Sequence, residues 1–306
     1  IMKILVTGGA GFIGKYLVKS LLENNNTVTI FDNFSNSTKK SVEHLIKKGA
    51  KITEGDIIKS QDILDATKNQ DIVIHLAAKI SVIESIKNPL ETFEVNVDGT
   101  INVITACKKN NVKKIIISSS AAVYGEGIQN IKIVENEKLK PISPYGESKV
   151  KMEQQIKRFM KNKNIKCVIL RFFNIYGINQ SDEYAGVITK FLKRIKQEKN
   201  LEIFGNGLQT RDFVSIKDVI NSINNAILYE KSGIFNIATG KTITIKKLAE
   251  KIVSLSEKNV KILYLNAKKG EIEFSQASIE SAKKDLKYNP KINLDIGIKE
   301  LFDNQV

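Results

Sequence analysis

Short apolar runs alternate with segments of helical period through the first half of the chain. Strand-like runs fall at Ile4–Val6, Val28–Phe31, Ala50–Thr53, Ile72–His75, Lys114–Ser118 and Lys166–Leu170. Helical patterns fill the gaps, as from Leu90 to Lys109 and from Tyr145 to Lys163. Apolar runs separated by helix-length segments predict an α/β architecture with a doubly wound parallel sheet, not a sandwich. Beyond about Asn174 the alternation loosens. A helix-like run (Gly186–Lys196) precedes short strands (Leu201–Phe204, Asp212–Val214), and two helices follow, Ile216–Leu228 and Ile245–Ser254, the second with Thr244 as N-cap. The expected division is a sheet domain over residues 1–173, with returns to the sheet around 212–240, and a smaller α/β carboxy-terminal lobe over 174–306. A ligand then binds above the carboxyl ends of the strands, between the two parts.

The turn after the first strand narrows the ligand. Thr7-Gly8-Gly9-Ala10-Gly11-Phe12-Ile13-Gly14 links a buried-type strand to an amphipathic helix and contains Gly9-x-Gly11-x-x-Gly14 overlapping Gly8-x-x-Gly11-x-x-Gly14. Such a turn lets backbone N–H groups approach a pyrophosphate at the positive end of the helix dipole. Taken alone it also fits a plain tight turn. The next strand decides between the two, because it ends in Asp32, eighteen positions beyond Gly14, where a carboxylate accepts hydrogen bonds from the adenosine ribose. That carboxylate repels a 2′-phosphate, so the expected cofactor is NAD and the sheet domain a Rossmann domain. Lys39 and Lys40 argue the other way, and are expected on the solvent face of the following helix.

Composition changes this picture little. The chain has 306 residues and a formal net charge of +15. The surplus is almost entirely lysine, spread in pairs such as Lys47-Lys48 and Lys246-Lys247 beside apparent amphipathic helices. A solvated face explains such pairs better than a nucleic-acid partner. No run approaches the length of a membrane span and no signal-like pattern precedes the first strand, so a cytoplasmic location is expected. Cys107 and Cys167 suit buried thiols, and only two histidines are present, which excludes a His-rich metal site.

The chemistry gathers around Ser143-Pro144-Tyr145-Gly146-Glu147-Ser148-Lys149. Ser143 as N-cap and Pro144 as first residue start a helix, and positions i and i+4 put Tyr145 and Lys149 on one face. A nearby ammonium is expected to lower the pKa of the phenol, so that it can deprotonate an alcohol while a hydride leaves the same carbon. The same pair is also common on ordinary helix faces. Upstream, the run Ile115-Ile116-Ile117 enters the hydroxyl-rich Ser118-Ser119-Ser120, where a serine can hold the substrate oxygen or simply suit a turn.

Together these residues resemble the extended short-chain dehydrogenase/reductase family, specifically its nucleotide-sugar epimerases and dehydratases. The resemblance runs through the glycine turn, Asp32, Gly55-Asp56-Ile57, His75-Leu76-Ala77-Ala78, Asn96-Val97-Asp98-Gly99-Thr100 and Ser118-Ser119-Ser120 with Tyr124-Gly125. Tyr145-x-x-x-Lys149, Arg171-Phe172-Phe173-Asn174-Ile175-Tyr176-Gly177 and Arg211-Asp212-Phe213 complete it. It implies an NAD site touched by Gly8, Gly11, Phe12, Ile13 and Gly14 in the turn and by Asp32 and Asn33 after the second strand. Asp56 and Ile57 are implied at the adenine, Ala77 and Ala78 along the channel, and Asn96, Ser118, Tyr145 and Lys149 further on, with Lys149 on the nicotinamide ribose. Tyr145 is implied as the base and Ser120 as its partner. Asn174, Arg211 and Lys268 are implied as diphosphate ligands, an ion pair with Asp212 being the plainer reading of Arg211.

Dehydratases and decarboxylases of this family carry an acid just after the catalytic Ser/Thr. Here Ala121 and Ala122 stand there, with no carboxylate before Glu126, which points to epimerisation at C4 of a UDP-hexose. Ser275 falls near a gate following Lys268-Lys269-Gly270-Glu271, and a small residue there implies room for an N-acetyl group beside UDP-glucose and UDP-galactose. Lys268 stands where an arginine is usual, Ser215 where a histidine is common, and Ile178 where proline is frequent; these departures bear on the substrate. The competing readings are a 4,6-dehydratase, a decarboxylase, an epimerase of a GDP-, CDP- or dTDP-sugar, and a non-catalytic NAD-binding regulator. A homodimer is expected through helices at Leu90–Lys109 and Tyr145–Lys163, with Ile101, Ile104, Met152, Ile156 and Phe159 serving that interface or the core.

Overall fold

A computed structural model describes residues 1–161, 165–180, 186–267 and 271–305. Seven strands form one sheet: β1 (Lys3–Thr7), β2 (Thr27–Asp32), β3 (Lys51–Glu54), β4 (Ile72–His75), β5 (Lys114–Ser120), β6 (Lys166–Phe172) and β7 (Gly233–Ile237). Their spatial order is β7-β6-β5-β4-β1-β2-β3 and every pairing is parallel. The order reverses between β1 and β4, the switch point beside which ligands bind in open α/β sheets. Burial on both faces explains the Val/Ile runs: Ile4, Leu5 and Val6 alternate sides yet all are fully buried. One apolar cluster lies around Ile4, Val6, Ile116, Leu170 and Val219, and a second around Leu5, Val73, Ile115, Ile169 and Ile156.

Two helices start beside the site. Helix α1 (Phe12–Glu23) begins at Gly11 with no side-chain cap. Helix α2 (Pro144–Met160) begins with Pro144 after Ser143, whose Oγ accepts the Gly146 N–H at 3.1 Å. Of the expected Tyr145–Lys163 span, Lys163 lies outside the described residues. The expected Leu90–Lys109 helix is broken instead into Pro89–Phe93, a π-turn at Glu94–Asp98, and Gly99–Lys109. Gly99 opens the last segment at a close approach, where a Cβ would stand 2.6 Å from Ile57 Cδ1. Ile104, Met152 and Ile156 belong to the core, which they fill at 6%, 1% and 0% exposure.

The carboxy-terminal half returns to the sheet twice. Helix Ile216–Leu228 packs beside α1, where Asn224 Nδ2 donates to Ser20 Oγ at 2.9 Å. At its carboxyl end the buried Lys114 ammonium donates to the Ala226 and Ile227 carbonyls, a cation on the negative helix end. β7 then joins the edge at β6. The expected strand Asp212–Val214 is shifted to Phe213–Ser215, paired with Asn174–Tyr176. A third apolar cluster, with Phe191, Leu192, Leu248, Ile252 and Leu301, lies among the helices after residue 186. Among the described residues no helix is long and apolar enough to cross a membrane.

Candidate active site

The glycine turn is built for close approach. Gly8 has φ +68, and a Cβ on it would stand 2.8 Å from the Ala77 backbone nitrogen, where the ends of β1 and β4 meet. A Cβ on Gly14 would stand 2.4 Å from the Gly8 carbonyl oxygen and 2.6 Å from Gly9 Cα. The turn is therefore a cradle that any side chain would fill, at a helix start whose N–H groups no side chain satisfies. Phe12 and Ile13 are half-buried and pack against the core. Asp32 is fixed by the turn itself, its Oδ2 accepting from Ala10 N at 3.0 Å and its Oδ1 from Phe34 N at 2.9 Å. Asn33 donates to Asp56 at 2.9 Å, and Ile57 is buried under Gly99. Lys39 is drawn to Glu54 at 2.6 Å, away from serving a 2′-phosphate. This arrangement fits a dinucleotide.

Since backbone atoms meet Gly14 from two sides, Gly14→Ala is expected to bind NAD about tenfold or more weakly. The fraction of NAD retained after purification, measured against wild type, checks this.

A chain of hydrogen bonds ties the switch point to the helices. Ala77 N–H donates to Thr7 Oγ1 at 3.3 Å, Thr7 Oγ1 meets His75 Nδ1 at 2.7 Å, and His75 Nε2 meets Thr100 Oγ1 at 2.9 Å. Thr100 Oγ1 donates to the Asn96 carbonyl at 2.7 Å. That leaves Thr100 as acceptor, so the proton of His75 sits on Nε2 and Nδ1 accepts from Thr7. Burial, with Lys149 nearby, holds His75 neutral by lowering its pKa to about 3. The Asn96 side chain is committed to the backbone of Lys79, accepting at 2.8 Å and donating at 2.9 Å, and donates to Ser148 Oγ at 2.9 Å. It positions both the segment after Ala78 and the first turns of α2. Ser85, which no sequence pattern singles out, accepts the Tyr145 N–H at 3.1 Å.

The Ser120 hydroxyl and the Tyr145 phenol line the same cavity, and the serine favours the ionised phenol. Lys149 reaches past them, donating to the Ser118 carbonyl at 3.1 Å, with its Nζ 6.0 Å from the centre of the Tyr145 ring. Burial raises the Tyr145 phenol, and Ser120 only partly offsets it. The lowering expected from the i,i+4 lysine is therefore not realised in the chain alone: removal from water outweighs it. Burial also lowers Lys149 to about 8, against the pull of Glu153.

Behind this group lies a network that sequence reading missed. Arg171, at 1% exposure, grips the fully buried Glu153 with Nε at 2.9 Å and Nη2 at 2.6 Å. Ser119 Oγ donates to the same carboxylate at 2.7 Å. Arg171 also donates to Tyr124 Oη at 2.7 Å, and Tyr124 to Asn236 Oδ1 at 2.6 Å.

A cavity of about 400 Å³ is lined by Ser120 and Tyr145, by Asn174 just after β6, and by Arg211 with Glu271. It adjoins a second cavity of about 350 Å³ that shares Phe204, Gln209 and Glu271. The structure thus gathers Ser120, Tyr145, Asn174 and Arg211 around one space. Ser275 is buried and is not on the described wall, and Lys268 lies outside the described residues. Arg211 pairs with Glu271 at 3.7 Å. It does not pair with Asp212, whose carboxylate turns back onto Thr239 and Gly240 at 2.7–2.9 Å. Glu126, the first acid after Ser120, is spent on the backbone N–H groups of Glu273 and Phe274. Both cysteines are buried and their thiols pushed up, which leaves them unreactive.

Comparison with known proteins agrees with this geometry. The model of the NAD dependent epimerase/dehydratase family matches residues 4–238. A putative UDP-glucose 4-epimerase of Methanocaldococcus jannaschii is 37% identical over 98% of this chain and 97% of its own. The structure of a Thermotoga maritima UDP-glucose 4-epimerase with UDP-glucose superposes with a TM-score of 0.94 at 31% identity, covering 99% of this chain and 98% of that one. A UDP-N-acetylglucosamine 4-epimerase of Methanobrevibacter ruminantium, in complex with UDP-N-acetylmuramic acid, gives 0.92 at 34% identity, covering 100% and 99%.

Proposed function

We propose, from the premise that the chain belongs to the NAD dependent epimerase/dehydratase family, that it interconverts C4 epimers of a UDP-hexose. UDP-glucose/UDP-galactose and UDP-GlcNAc/UDP-GalNAc are the pairs we favour. The observation that carries this reading is a cavity lined by Ser120, Tyr145, Asn174 and Arg211, with the Lys149 ammonium on the Ser118 carbonyl behind the phenol. Among the described residues, Ala121 and Ala122 beside Ser120 are apolar, Glu126 is tied to backbone, and Glu271 on the cavity is paired with Arg211. Elimination or decarboxylation lacks the extra acid it needs, whereas epimerisation needs only a base and a hydride acceptor.

Gly8, Gly11, Gly14 and Asp32 would hold NAD, which when bound would accept the hydride leaving C4 as the alcohol loses its proton and give it back to C4 after the sugar has turned. Tyr145 takes the proton of the C4 hydroxyl while Ser120 holds that oxygen, leaving a 4-keto sugar. Lys149 supplies positive charge behind the phenol, and Arg211 with Asn174 anchors the diphosphate. The sugar turns about this anchor and presents its other face, and Tyr145 returns its proton to the C4 oxygen. The resemblance alone carries Ser275 as the C2 gate and Lys268 as a second phosphate contact. A homodimer, with Ile83, Ile86 and Leu90 as exposed apolar residues beside α2, and a cytoplasmic location belong to the same reading.

Proton NMR of UDP-glucose and UDP-GlcNAc, each incubated with purified protein and no added NAD, tests it. New anomeric signals of the galacto-configured epimer are expected. Unchanged spectra from protein that contains NAD would reject the reaction for both sugars. Light scattering at micromolar concentration is expected to give the dimer mass.

A further inference from the structure

Three residues one helical turn apart on α2 each meet one of three consecutive serines at the end of β5. Tyr145 lines the cavity with Ser120, Lys149 is bonded to the Ser118 carbonyl at 3.1 Å, and Glu153 to the Ser119 hydroxyl at 2.7 Å. The first two rungs belong to the proposed chemistry. The third does not touch the cavity, yet it places a fully buried carboxylate in the interior. An ion pair of this kind confers no automatic stability over well-packed apolar side chains, so its retention asks for another account.

We propose that Glu153 is a positioning residue for the reaction, supplying the negative charge that holds the Lys149 ammonium on the Ser118 carbonyl behind Tyr145. Arg171 fixes that charge from β6 through two bonds, and Ser119 fixes it from β5. Lys149 is surrounded by few other charges. On its own helix it faces Tyr145 and Glu153, with Met152 Sδ at 3.9 Å, and from β4 it faces His75, which is neutral. Lys157 reaches Glu153 only at 3.8 Å from the surface. Glu153 is the anion one turn along the same helix from Lys149, the two side chains meeting adjacent serines of β5, and its charge is shared with the Arg171 guanidinium that grips it. Burial already brings Lys149 down to about 8. Removing the anion lowers it further, so Lys149 becomes neutral at working pH and the phenolate loses its cation.

The proposal rests on the epimerase reading only for its kinetic readout. Glu153→Gln keeps the shape of the carboxylate and removes its charge. Glu153→Met with Arg171→Met removes both charges, so a folding failure of the first variant leaves the second to decide. Protein labelled with [ε-¹³C]lysine reports Lys149 directly, its signal assigned by its absence in Lys149→Arg. Expected in Glu153→Gln is a Lys149 titration midpoint lower by about 1–2 pH units, the size a unit charge one turn away produces at an effective dielectric near 20. In the double variant, where loss of the Arg171 cation offsets part of the loss of the anion, a smaller downward shift of more than about 0.3 pH units is expected. Kinetically, kcat at pH 8 is expected to fall about tenfold or more with KM within about threefold, an interaction lost mainly in the transition state. The alkaline limb of the pH profile should move down with the NMR midpoint. A midpoint unchanged within about 0.3 pH units in the folded variants would overturn the proposal, whatever the activity. Failure of the epimerase reading leaves that midpoint test intact, so the two failures are distinguishable.

Discussion

Tyr145→Phe is expected to lower kcat by about 10³-fold, within the 10²–10⁴ typical of a lost general acid–base. The variant removes one oxygen and leaves the ring, which is 9% exposed and set at the start of α2 by Ser143, Ser85 and Ser148. All three act through the backbone, so the helix start survives the substitution. Bound NAD and substrate affinity are therefore expected to stay within about threefold of wild type, and the loss to appear in kcat. No other group takes over: Lys149 is directed at the Ser118 carbonyl, and His75 is buried with its Nδ1 already occupied by Thr7. Steady-state kinetics on whichever sugar turns over, with NAD content measured on the same preparation, checks this. A loss below about tenfold would remove Tyr145 from the role of base.

The second large effect is on stability. Arg171→Met leaves Glu153 as an uncompensated charge in the core, and breaking such a pair from one side costs about 3–5 kcal/mol. For a chain of this size that amounts to a Tm lower by roughly 10 °C. Removing Glu153 as well is expected to recover all but about 1–3 kcal/mol, since the Ser119 hydroxyl, the Glu135 carbonyl and one Tyr124 bond then lack their partners. Thermal and urea unfolding of the single and double variants measures both. A double variant as unstable as the single one would show that the loss comes from packing around the guanidinium.

The sheet was legible because strands buried on both faces leave little room for polar residues, as in Ile115-Ile116-Ile117. β7 was less so: its middle is the fully buried Asn236, satisfied by Tyr124, Ile133 and Ser278, all distant in sequence. The glycine turn and Asp32 could be read because their requirement is local. Glu153 could not, since a glutamate in mid-helix beside Lys151 and Lys157 looks like a solvated face until β6 brings Arg171 to it. The Tyr145–Lys149 pair was placed correctly on one face, but the direction of the phenol's shift was not. Spacing reports which charges are near, whereas burial, which dominates here, depends on what the rest of the chain lays over them. The π-turn at Glu94–Asp98 was hidden because the apolar spacing runs through it.

The order β7-β6-β5 has a consequence for the lobe that carries Arg211. The chain leaves the sheet at the end of β6 and re-enters it as β7, the neighbouring edge strand, in register from Gly233 against Val168. The stretch between is an excursion stitched at both ends into a single fabric, not a module hung on a tether. It has no free end to swing, and its two anchor points are adjacent, so the closure entropy for ordering it grows only with the logarithm of its length. The segment bearing Arg211 is thereby referenced to β6, which carries Arg171 and pairs with the strand that carries Ser120. Insertions within the excursion can reshape the substrate side without disturbing the alignment of the reacting groups.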